Sequence, residues 1–182
     1  MPRYFAYFNE NDKYVAITGN DCHHIKNVLR MKSGDDLIIS NETKAFYGII
    51  KSIEPEKVVV ELQYELKQNS ELPIYVAIAQ GMPKADKFET VIQKTTELGV
   101  REIIPVLSER SLIKVDAKSG GKKLERFEKI AKSASEQSQR LVIPKVKQFM
   151  TLTELIKYSK NFNVKCIAYE ASTNEEQSNL PN

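Results

Sequence analysis

Residues 74–107 read IYVAIAQGMPKADKFETVIQKTTELGVREIIPVL, and the fold turns on this stretch. Its first apolar run predicts a strand over 74–79. Over 84–98, Phe88, Val91, Ile92, Thr95 and Leu98 recur on one helical face, and Gly99 supplies the stop. A second strand follows over 102–107. Downstream the rhythm continues with a long helix over 121–140, its inner face formed by Leu124, Phe127, Ile130, Ala131 and Ala134, and with Pro144 just beyond. A helix over 151–158 opens with a capping box of Thr151 and Glu154, and 164–169 reads as another strand. Strands alternating with helices predict an α/β domain with a mostly parallel sheet. Ligands of such sheets sit beyond the carboxyl ends of strands. The polar residues 170–182 leave such an end with nothing to bury, so the sheet is expected to be incomplete there.

Upstream the pattern differs. Short β-branched or aromatic runs at 4–8, 14–17, 37–39, 45–50 and 58–62 predict strands. One helix interrupts them, capped by Asn20 or Asp21, with Ile25, Val28 and Leu29 as its buried stripe and Ser33-Gly34-Asp35 as its end. Such a set suits a small β-barrel, a common platform for RNA. The polar linker 67–71 leads to Pro73, which places a boundary between domains at 1–72 and 73–182.

Charge follows the same division. Residues 1–72 carry a net −2, residues 73–150 a net +6 and residues 151–182 a net −1, so the middle segment is the candidate for a polyanion. An ordinary lysine-rich solvated surface is the plainer reading. No apolar run reaches the length of a transmembrane helix, and the N-terminus lacks the pattern of a signal peptide. Two distant cysteines, Cys22 and Cys166, fit a cytoplasmic protein with reduced thiols. No glycine-rich phosphate loop or nucleophile elbow occurs. His23 and His24 are adjacent, point about 100° apart on a helix, and make a poor metal site; no metal is expected.

Three clusters could carry chemistry. Lys26 and Arg30, with Lys32 after them, form a cationic edge that suits phosphate or simply faces solvent. Lys84, Lys87 and Lys94 lie where a strand becomes a helix, a position that suits an RNA phosphate. Seven-residue spacing puts Lys129, Ser133, Glu136 and Arg140 on one helical face. An i,i+4 Glu–Arg pair there stabilises a helix by about 0.2–0.5 kcal/mol without further role, yet the same groups suit base recognition.

Taken in order, His23-His24-Ile25, Val28 to Met31, Gly34-Asp35, Lys87, Glu89, Gln93-Lys94, Glu97 to Val100, Pro105, Ser108 to Ser111, Ile130-Ala131, Glu136-Gln137, Arg140 and Pro144 resemble the RsmE family. Its members are SPOUT methyltransferases that methylate uridine N3 in small-subunit ribosomal RNA. The resemblance covers nearly the whole chain. It implies a PUA-like barrel followed by a SPOUT α/β domain that dimerises and binds S-adenosylmethionine in a trefoil knot, a rare exception to unthreaded topology. The family's two glycine-containing knot loops do not occur in these residues, so the resemblance places the knot beyond Asn182 and leaves the SPOUT domain incomplete.

The roles it implies are specific. Glu136 is a candidate proton acceptor and Arg140 a stabiliser of negative charge on the base or a phosphate clamp. Arg3, Arg30, Lys32, Lys84, Lys87, Lys94 and Arg110 are candidate RNA contacts, and Tyr169 with Glu170 could touch the methyl donor. The expected partner is small-subunit ribosomal RNA or the assembled subunit, met by a homodimer. The competing reading is a non-catalytic RNA-binding or ribosome-assembly protein with a degenerate methyltransferase domain.

Overall fold

The computed structural model describes residues 1–9, 11–67, 70–83, 87–107 and 117–168, with side chains from residue 120 in the last of these. The N-terminal part is one curled sheet of β1 (Arg3–Phe5), β2 (Tyr14–Thr18), β3 (Asp36–Ser40), β4 (Ala45–Ile53) and β5 (Lys57–Glu65), in spatial order β1-β3-β4-β5-β2. All of its pairings are antiparallel except β1 with β3. β1 and β2 end the order without pairing to each other, so the sheet is a half-barrel and not a closed one. Alternation along the strands sends Tyr4, Val15, Ile17, Leu37, Ile39, Ile50, Val58 and Val60 into one core.

The helix that plugs this core is shorter than its sequence suggests. It runs as α1 (Gly19–His23) and continues as a wider π turn over His24–Val28. Ile25 is fully buried, but Val28 and Leu29 face solvent. The wider turn advances fewer degrees per residue than an α-helix, so the apolar stripe expected from a 3.6-residue period rotates outward after Ile25.

The second part holds β6 (Ala77–Gly81), β7 (Glu102–Leu107) and two short strands, β8 (Lys145–Val146) and β9 (Met150–Thr151), all parallel to β7 or paired with it in parallel. Helices α2 (Lys87–Glu97) and α3 (Ala117–Gln137) cover it, and α4 (Leu152–Tyr158) opens with the expected capping box. Phe88, Ile92, Ile103, Leu124, Phe127 and Ala131 form its core. Gly99 has φ +101°, and a Cβ there would meet the Leu72 side chain at 2.7 Å, so the helix stop is also a close packing point. Two expectations fail. Leu98 is exposed, its place in the core taken by Val100 after the turn. Residues 164–168 form no strand, and Val164 and Ile167 are exposed, because no described strand pairs with them.

Candidate RNA interface at the domain junction

Two charged clusters join the half-barrel to the α/β part. The first is sealed. Glu71 lies in the linker, yet its side chain is 2% exposed. It accepts hydrogen bonds from Arg140 Nε at 3.2 Å and Nη2 at 2.5 Å, and from the backbone N–H groups of Leu141 and Val142. Arg101 Nε lies 3.3 Å from Glu71 Oε2, the oxygen that also accepts from Arg140 Nη2. Burial alone would raise the Glu71 carboxyl; the hydrogen bonds and charge of Arg140, with the two backbone donors, outweigh it and hold the group below the usual carboxylate range.

Arg140 was expected on the outer face of α3, in line with Glu136, as a group acting on the substrate. Instead it is 1% exposed and donates through Nη1 to the carbonyls of Thr96 and Val100. The cause is local. α3 ends at Gln137, and Gln139 adopts φ +58°, a left-handed turn that swings Arg140 inward. Arg3, expected to hold RNA on the half-barrel surface, is also buried: its Nη1 donates to Arg140 O at 2.7 Å and Ser40 Oγ at 3.2 Å, and its Nε to Gln139 Oε1. Both arginines fasten the two parts together, and neither is placed to meet a substrate.

The second cluster is open. Lys132 Nζ donates to both Asp21 oxygens, at 2.8 and 3.0 Å, and to Glu136 Oε1 at 2.5 Å. These groups floor a crevice of about 320 Å³ between α1 and α3, walled by Thr18, Asn20, Lys129 and Ser133. The expected alignment of Lys129, Ser133 and Glu136 is therefore real, with Arg140 the exception. Burial pushes the Glu136 carboxyl above the usual range, against the pull of Lys132 and with the nearby Asp21 charge adding to the effect. Burial works against the Lys132 ammonium, but the two carboxylates outweigh it and hold it above an ordinary lysine. Beneath, Tyr4 OH and His24 Nδ1 lie 2.9 Å apart, which occupies one histidine while His23 stays exposed.

Elsewhere, Arg30, Lys32 and Lys87 are exposed and carry no side-chain ion pair with the described residues. Arg30 sits at φ +52° just past the π turn, which projects it beside the exposed Val28 and Leu29. Lys94 is exposed but engaged with Glu97 at 2.9 Å. Lys84, Arg110, Tyr169 and Glu170 lie outside the described residues. Asp21 and Glu71 were missed as junction residues: one reads as a helix cap and the other as linker, and nothing local marks a partner more than 60 residues away.

A half-barrel fastened to a parallel α/β domain thus encloses a crevice lined by polar and charged side chains of both parts. Residues 70–182 match the family described as an RNA methyltransferase domain, and residues 17–63 match an RNA methyltransferase PUA domain. The ribosomal RNA small subunit methyltransferase E of Bacillus subtilis is 39% identical over 180 residues, covering 96% of this chain and 70% of that protein. The protein of the same name from Buchnera aphidicola (from Acyrthosiphon pisum) is 30% identical, covering 89% of this chain and 64% of its own length. A crystal structure of ribosomal RNA small subunit methyltransferase E from Neisseria gonorrhoeae bound to S-adenosyl methionine superposes with a TM-score of 0.79 at 28% identity, covering 86% of this chain and 65% of that one. The chain belongs to the RsmE family of RNA methyltransferases.

Proposed function

We propose that the protein containing this chain methylates N3 of a uridine in small-subunit (16S) ribosomal RNA with S-adenosylmethionine as methyl donor, as a cytoplasmic homodimer. The observation that carries this reading is the crevice between the RNA-binding and methyltransferase parts, in a chain of the RsmE family. The cavities described lie on the half-barrel and along α3. S-adenosylmethionine, when bound, would supply the methyl group.

The chain's own residues have clearer roles. Uridine N3 is protonated at neutral pH and becomes nucleophilic only when that proton leaves. Glu136, half-buried with a raised pKa, is the proposed acceptor. Lys132 would restrain its charge, and Lys129 and Ser133 would hold the phosphodiester alongside. Arg30, Lys32 and Lys87 would grip phosphates without reading sequence.

Two measurements test this. Unmodified small subunits incubated with the protein and labelled S-adenosylmethionine should yield N3-methyluridine by nucleoside mass spectrometry. RNA binding with neither methyl-donor binding nor labelled uridine would support the non-catalytic assembly protein instead. Removing Arg30 and Lys32 together should weaken RNA binding and reduce the log–log salt slope by roughly 1.4, about 0.7 per phosphate contact on a single strand. An unchanged slope would count against both.

A further inference from the structure

The outer face of the half-barrel carries a pair of aromatic rings that the roles above do not use. Tyr47 on β4 and Tyr64 on β5 are directly opposed across the antiparallel ladder, with ring centroids 5.0 Å apart and planes 11° from parallel. Tyr64 is 57% exposed, so the stack has an open end. Its position depends on a bulge. Tyr47 pairs with Tyr64 while Gly48 pairs with Leu62, so Gln63 is an extra residue that turns Tyr64 onto Tyr47. Gly48 permits the close approach: a Cβ there would lie 2.5 Å from Val60 Cγ1 and 3.4 Å from the Glu61 carbonyl oxygen.

Register connects the pair to the junction. Arg3, Ile38, Tyr47 and Tyr64 form one row across four adjacent strands, and Arg3 at its far end is the residue fastened to Arg140 O. At about 4.8 Å per strand, Tyr64 stands roughly 14 Å across the sheet from Arg3 at the seam with the methyltransferase part.

The surrounding charge narrows the occupant. Lys13 and Lys51 share Glu61, and Lys44 pairs with Glu65, so the lysines of this part of the sheet are engaged with carboxylates. Desolvation first, and the nearby Asp36 carboxylate next, push the Tyr47 hydroxyl above its ordinary value. An aromatic stack open at one end offers a π-face, which suits the face of a base better than a phosphate.

Resting on the RNA reading above, we infer that Tyr47 and Tyr64 form a stacking platform for one unpaired nucleobase of the RNA, next to the domain seam. The base extends the stack on the open face of Tyr64.

The test is fluorescence anisotropy of the whole chain with a labelled single-stranded 12-mer RNA, using Tyr64→Phe and Tyr64→Leu. Phe keeps the π-face and Leu keeps apolar bulk. Expected are near-wild-type affinity for Y64F, a loss of about tenfold for Y64L, an unchanged salt slope for both, and upfield shifts of the Tyr64 ring protons when RNA is added to the wild type. Y64L binding within twofold of wild type, with its thermal unfolding unchanged, would overturn the platform. So would a loss accompanied by a lower salt slope, which would mark a phosphate contact. Failure of the wild-type chain to bind RNA would overturn the RNA reading and the platform together, whereas tight wild-type binding with an indifferent Y64L removes the platform alone.

Discussion

The two junction clusters use the same chemistry and end in opposite circumstances. Around Glu71, every donor of Arg140 that meets the carboxylate or a carbonyl is out of water, and the linker, α2, β7 and the end of α3 converge on it. Around Lys132, one ammonium is divided between two carboxylates at the mouth of a crevice. A sealed ion pair that loses one partner leaves an uncompensated charge, while a half-open one can recruit water. The first cluster therefore sets where the two parts of the molecule sit, and the second can respond to what enters between them.

Arg140→Ala gives the largest expected effect. It removes the two-pronged partner of the buried Glu71 carboxylate and the donor to the Thr96 and Val100 carbonyls, at a cost of about 3–5 kcal/mol, read from urea unfolding. A loss below about 1 kcal/mol would erase the distinction between the clusters. Next comes Arg3→Met, which keeps the bulk and removes the donors to Arg140 O and Ser40 Oγ. About 1–3 kcal/mol should be lost, and a neutral result would show the seam is held elsewhere.

The pH dependence sharpens the same contrast. Glu71 has a folded pKa below its unfolded one, so its stabilisation is present above the unfolded value and fades as pH falls through the folded one. Glu136 has a folded pKa above its unfolded one, so the contribution it makes when protonated is lost as pH rises through that folded value. Glu71→Gln should therefore flatten the acid branch of the stability curve and lower stability at pH 7. Glu136→Gln should leave stability at pH 7 unchanged or slightly higher. If the two variants give the same curve, the clusters do not differ as described. The smallest effect belongs to Lys129→Ala, an exposed crevice wall, which should shift unfolding by no more than about 0.5 kcal/mol while weakening RNA binding measurably by anisotropy.

Much of this architecture was readable because it is periodic. Phe88 and Ile92, then Leu124, Phe127, Ala131 and Ala134, recur at helical spacing and are buried as that spacing requires. Thr151 and Glu154 form their capping box from four adjacent residues. The parallel pairing of β6 with β7 follows from the helix between them. What escaped was nonperiodic or distant. The π turn rotates Val28 and Leu29 to the surface, and no composition rule announces it. Residues 164–168 have the residue types of a strand but no described neighbour to pair with, and strand propensity without a partner fixes nothing. Arg140 illustrates the limit for sites: seven-residue spacing from Ser133 put it on the crevice face, yet a single left-handed residue at Gln139 carried it to the interior. Its carboxylate partner, 69 positions earlier, looked like solvated linker.

The hydrogen bond from Arg3 to the Arg140 carbonyl spans 137 positions of sequence. During translation β1 emerges among the first residues, and β3, its partner, follows some 35 residues later, so the half-barrel can close early. The seam cannot. At about 5–20 residues per second, Arg3 waits roughly 7–27 s for its acceptor to be polymerised. Through that interval the guanidinium has Ser40 Oγ within the half-barrel as its partner but not the Arg140 carbonyl, so the seam closes only after α3 has been made.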